Sequence, residues 1–133
     1  MPWQPYNPNT DGNRVGDCPV RAIAAATGDD WDGAYWRICI EGALLHDMPN
    51  ADRVWGAYLT RCGFRRRLVA ADCARCYTVR DFAREHPKGV YVLGLDGHVL
   101  TVIDGDWWDT WDSGDEIPIY YWQRGEEADN AAV

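Results

Sequence analysis

The spacing of apolar positions changes once along the chain. From Cys18 to about Cys62 they recur at helical intervals; from Gly89 onward they form short, nearly continuous runs cut by glycine turns. The first helix opens at Cys18 in "RVGDCPVRAIAAATGDD". Asp17 stands at its N-cap, and Pro19 sits in the first turn, where a missing N–H costs nothing. Val20, Ile23, Ala24 and Thr27 make one stripe, widened by Ala22, Ala25 and Ala26, and Arg21 is the only charged residue among them. A helix apolar nearly all round is a central, buried one, and Gly28 ends it.

A second helix runs from a cap at Asp29 or Asp30 to about Leu45, with Tyr35, Ile38 and Leu45 inward. A third runs from about Ala51 to Cys62, with Val54, Tyr58 and Leu59 inward, and stops at Gly63. "FRRRLV" is a short strand, and Thr78 caps a short helix, "VRDFAREH", broken by Pro87. The runs "GVYVLGL", "HVLTVID" and "WWDTWD", separated by "DG" and "DGD" turns and followed by "PIYYW", predict an antiparallel meander. Residues 1–16 read as an extended, turn-rich arm, and residues 124–133 as a frayed acidic tail. The expected fold is α+β: helices, the buried one carrying Cys18 at its start, then a sheet, in a single domain over residues 1–123.

Composition narrows the partners. A chain of 133 residues, 47% hydrophobic and 26% charged, is one globular domain with a real core. Eight Trp and seven Tyr exceed what a small core holds, so some line a groove or a partner surface. A net charge of −8 argues against nucleic acid, which is held through clustered Lys and Arg. Arg65, Arg66 and Arg67 read as a solvated strand face. No stretch approaches the roughly 20 apolar residues of a membrane span, and "MPWQPYNPNTDGN" lacks the basic and apolar regions of a signal peptide. The expected location is cytoplasmic. In that reducing compartment, five cysteines are expected as free thiols.

Cysteine chemistry needs a thiolate, a base, and a group to orient the base. Cys18 sits where a helix N-terminus favours the thiolate. Of the three histidines, His46 and His86 end helices and read as surface residues beside the C-terminal dipole. His98 follows "LDG" and opens the apolar strand "VLTVI". Taking Gly105 as the centre of an Asp104-Gly105-Asp106 turn places Asp112 directly across from His98, with Cβ atoms ~5 Å apart on a shared face. The same register places Asp109 opposite Thr101 on the other face.

A cysteine opening a buried helix, a Gly-His strand start far downstream, and an Asp on the next strand resemble the papain-like cysteine peptidases. The small bacterial, phage-borne and bacteriocin-exporter members come nearest. The motifs are "GDCPVRAIA" and "GHVLTVIDG" followed by "WDTWD", and the resemblance spans about Asn7 to Trp122. It implies a papain-like fold, Cys18 as nucleophile, His98 as proton acceptor, Asp112 as its orienting group, and a protein or peptide substrate. No metal or organic cofactor is implied. The family also uses an upstream side-chain amide, usually Gln, as an oxyanion donor. Here no Gln is nearer than Gln4, leaving Asn13 and Asn9.

Four other readings compete. "CARC" (73–76) with Cys62 lacks a fourth zinc ligand at suitable spacing, and it lacks the strand–helix context of a thioredoxin-like pair. Cys39 reads as core. Peptidoglycan amidases share the "GHV" strand start but usually come with a wall-binding module or export signal that this sequence does not show. The alternative from another class is a non-catalytic, phage-borne binding or inhibitor protein, whose acidic, aromatic surface would block a basic partner.

Overall fold

The computed structural model describes residues 2–69 and 77–125. Among these, the elements in chain order are β1 (Trp3–Pro5), α1 (Cys18–Thr27), α2 (Trp31–Leu45), α3 (Asp52–Arg61), β2 (Phe64–Leu68), α4 (Val79–Glu85), β3 (Val90–Leu95), β4 (His98–Ile103), β5 (Asp106–Asp109) and β6 (Pro118–Arg124). The class is α+β, as expected. No helix among the described residues is long and apolar enough to cross a membrane.

Local signals set most boundaries. Gly28 takes the left-handed conformation, φ 79°, that closes α1. Asp30 caps α2 by accepting the Gly33 N–H at 2.7 Å. Thr78 and Asp81 form a reciprocal capping box at the start of α4. Asp17 departs from expectation. It occupies the N-cap position of α1 but makes no capping hydrogen bond. Its buried carboxylate turns instead to the Arg21 guanidinium and the Trp31 indole N–H. A buried carboxylate is better compensated by a cation and a side-chain donor than by one backbone amide.

The strands form one sheet in the order β1-β5-β4-β3-β6-β2. Only β3, β4 and β5 form the expected meander. β6 crosses back to pair with β3, and β2 adds outside it. β1 pairs parallel with β5, so the sheet is mixed and the supposed arm begins as a strand. Pro2 and Pro5 are compatible with that role because an edge strand leaves one row of N–H positions unpaired.

Two-residue Asp-Gly turns join the meander. Asp96-Gly97 sets Leu95 opposite His98. Asp104 and Gly105, at φ 50° and 83°, set Ile103 opposite Asp106 and Thr101 opposite Trp108. Positive φ at both central residues matches the right-handed twist of the flanking strands. This turn is one residue shorter than the sequence suggested, so the pairing beyond it slips by one.

Both faces of the sheet are covered, which is why its strands read as continuous apolar runs. On one face α1 packs with α2 and α3 through Ile23, Ile38, Val54, Trp55, Leu59, Val92 and Trp122. On the other, Val79 and Phe82 of α4 meet Tyr91, Leu93, Leu100, Val102 and Trp107. The alanines of α1 let its backbone approach β4 closely, and the buried Thr101 hydroxyl donates to the Ala22 carbonyl at 2.6 Å.

Other expectations shift. His86 stacks on Phe82 at 3.8 Å, within an aromatic cluster that includes Tyr91 and Tyr121, rather than lying on the surface. Cys39 is half-buried. The three arginines of β2 are exposed on an edge strand, with Arg66 over the Tyr120 ring at 4.2 Å. Arg124 belongs to β6, and the Gly125 N–H donates to the Gly63 carbonyl, so the fold continues past residue 123. The "CARC" pair and residues 126–133 lie outside the described residues.

The Thr101 contact makes a measurable contribution. Thr101→Val keeps the shape and removes the hydroxyl, while Ala22 keeps its helical bond. A stability loss of about 1 kcal/mol is expected in urea denaturation. No change would mean that apolar packing alone seats α1 on β4.

Candidate active site

Cys18 is the first residue of α1, where backbone N–H groups lack intrahelical acceptors. Its thiol is free and half-buried in a cleft of about 280 Å³ that Gly16, Asn50, Asp52, Gly97, His98 and Tyr120 also line. The Asp96-Gly97 turn delivers His98 to the same cleft from the first position of β4.

The His98 Nε2 lies 2.6 Å from Oδ2 of Asp109. The Cys18 thiol lines the same cleft and acts on the ring's ionisation. Burial opposes charge on His98, but the bond to Asp109 and the nearby Cys18 outweigh it and push its pKa up to about 9. The imidazole is therefore protonated through neutral pH.

Asp109 is buried and well supplied with donors. Ser113 donates its hydroxyl at 2.7 Å and Thr110 its backbone N–H at 2.8 Å. Arg21 approaches from α1 at 3.7 Å. The backbone carbonyl of Asp109 accepts from the Tyr6 N–H and the Trp3 indole, so β1 braces the strand at this residue. Arg21 also pairs with Asp17. A chain of charges thus runs from the residue preceding Cys18, through Arg21 and Asp109, to His98.

The orienting carboxylate is Asp109 rather than Asp112. Asp112 accepts from the Trp107 indole at 2.9 Å and the Gly114 N–H at 3.0 Å, and these bonds hold its carboxyl below the usual range. The cause is the shorter Asp104-Gly105 turn. One residue of register changes which side chains share a face. The residue brought beside His98 on the following segment is Trp111, ring to ring at 5.3 Å.

The two predicted amide donors are not at the thiol. The Asn9 side chain accepts the Asp11 N–H within its own loop. Asn13 lines a separate cavity of about 700 Å³ with Tyr6, Arg14, Arg21 and Trp111. Asn50, from the turn before α3, is the side-chain amide lining the Cys18 cleft. Sequence reasoning missed it, since nothing local marks an exposed Asn before a helix. Arg21 did carry a signal: a lone charge in an apolar helix demands buried partners. Among the described residues, no group of three or more His, Cys, Asp or Glu could hold a metal ion. No protein-family profile, curated protein or solved structure matches the chain.

Two pH measurements follow. Asp109→Asn is expected to lower the NMR titration midpoint of His98 from about 9 to its ordinary ~6.5 or below, whereas Asp112→Asn leaves it in place. A raised folded-state value means that the stabilisation is complete below ~6.5 and is lost as pH climbs through about 9. Between those limits wild type should lose on the order of 1–3 kcal/mol relative to His98→Gln. Parallel pH–stability curves for the two proteins would contradict the assignment.

Proposed function

We propose that the chain is a thiol hydrolase or acyl transferase acting on peptide-type bonds. Cys18 is its nucleophile, His98 its acid–base and Asp109 the group that holds His98. The carrying observation is the arrangement at one cleft: a helix-start thiol and an imidazole line it together, and the imidazole is bonded to a buried carboxylate. The resemblance to papain-like peptidases supports the peptide substrate and a papain-like fold. A bacterial or phage origin and action in the cytoplasm belong to the same reading.

In the reaction, the Cys18 thiolate attacks the acyl carbon and its electron pair forms the C–S bond. The developing oxyanion is met by the free N–H of Cys18 at the helix start, with the Asn50 amide at the cleft wall. The His98 imidazolium gives its proton to the leaving amine as the C–N bond breaks, leaving a thioester. Neutral His98 then takes a proton from water or an acceptor amine, which attacks the thioester. The C–S bond breaks with its electron pair on sulfur, and the thiolate–imidazolium pair is restored.

A different observation favours the runner-up, a binding protein without catalysis. Trp36, Ile40 and Leu44 stand exposed at four-residue spacing along α2, at 64%, 59% and 64%. Spacing of this kind suits a partner helix or groove.

Iodoacetamide labelling from about pH 5 to 9, located by peptide mass spectrometry, separates the readings. Cys18 is expected to label first, already near pH 6, well below the ordinary thiol value of ~8.5. His98→Ala should abolish the low-pH reactivity. Cys18→Ala should abolish turnover of a mixed peptide library with the fold intact. A Cys18 that labels no faster than the other cysteines would discard the enzyme reading and favour the binding protein.

A further inference from the structure

The residue directly before the nucleophile poses an electrostatic problem. Asp17 is buried, and a second buried carboxylate, Asp109, stands behind His98. Two negative charges this near oppose a third on the Cys18 sulfur. Arg21, one helical turn into α1, pairs with both, and its side chain is only 13% exposed. The Trp31 indole N–H holds the other oxygen of Asp17 at 2.9 Å.

We propose that Arg21 is the charge-balancing and positioning residue of the site. It neutralises Asp17 beside Cys18 and ties Asp109 to α1, so that a thiolate forms opposite His98. The inference rests on the reading of Cys18 as nucleophile. With Arg21 in place, Asp17, Asp109 and a thiolate face the cations Arg21 and His98. Without it, three negative charges share one imidazolium.

The other ionisable groups near the pair do not supply the same balance. Asp52 and Tyr120 line the Cys18 cleft and bond to each other. Tyr35, from α2, lines an apolar cavity beside Asp17. Arg14 and Tyr6 line the larger cavity with Asp17 and Arg21, and Arg14 is exposed. Glu41 of α2 is turned to Arg61, and Arg124 binds the Ala26 carbonyl at the far end of α1.

The test is the pH profile of Cys18 alkylation, with circular dichroism to verify folding. Arg21→Met should move the rise in reactivity upward by about one pH unit or more, the scale of a nearby like charge. Arg21→Lys should recover part of the shift. Adding Asp17→Asn to Arg21→Met should restore much of the profile by removing the charge that Arg21 balanced. A purely structural Arg21 would lower thermal stability without moving the rise, and that result overturns the inference. Should Arg21→Met not fold, Asp17→Asn alone decides. A shift of the rise to lower pH supports charge balance, and an unmoved rise overturns it. If wild-type Cys18 shows no low-pH reactivity, the nucleophile assignment itself falls.

Discussion

Everything at the candidate site depends on how closely α1 lies against β4. The helix carries Cys18 and the strand carries His98, so their separation is set by what stands between the two backbones. Alanine at positions 22, 24 and 26 supplies that spacing with small side chains, and Ile23 fills the remaining volume. The Thr101 hydroxyl then reaches a helix carbonyl directly. Bulkier residues on this face would move Cys18 away from the imidazole. Protein interiors are close-packed, and they transmit such strain rather than absorb it. The alanine-rich composition of α1 is therefore a geometric requirement of the site as well as a helix-forming preference.

On that frame sits a buried charge network whose members make sense only together. Asp109 without partners would be costly in the interior. It is held by Ser113, Thr110, Arg21 and His98, so little of its acceptor capacity is unmatched. His98 gains enough from Asp109 and Cys18 to overcome its own desolvation. Buried ion pairs are weak evidence for stability, because desolvation offsets much of their attraction. The observation here is one of arrangement: the charges follow one another from α1 to β5 to β4 and end at the thiol.

The helical half of the fold was legible because its signals are local. Caps at Asp30 and Thr78, the stop at Gly28, and the apolar surround of α1 depend on residues a few positions apart. Cys18 and His98 were legible for the same reason, each standing at the first position of a well-marked element. The third residue was not. Choosing between Asp109 and Asp112 required the length of one turn, and "DGD" accommodates two or three loop residues equally well on paper. The twist of the paired strands decides for two, through the positive φ of both Asp104 and Gly105. Non-local features were the least readable. β1 is three residues long, follows one proline and ends on another, and it becomes a strand only because β5 offers a free edge. The return of β6 to β3 has no local signature at all.

That parallel β1 strand gives the beginning of the chain a structural reason to stay ordered. Its partner residues, Trp107 to Asp109, end at the carboxylate that orients His98. Past Asp109 the chain leaves the sheet and turns through Ser113, whose hydroxyl comes back to the same carboxylate. Without β1, Asp109 would sit at the last position of an edge strand, where fraying is easiest. With it, the Asp109 carbonyl is held by Tyr6 and Trp3 while its side chain faces the imidazole. The Asp112 contacts with Trp107 and Gly114 then close the turn. The aspartate that sequence reasoning placed in the site instead fixes the loop behind it, so the two carboxylates divide the work. One holds the imidazole and the other holds the turn that carries Ser113 to it.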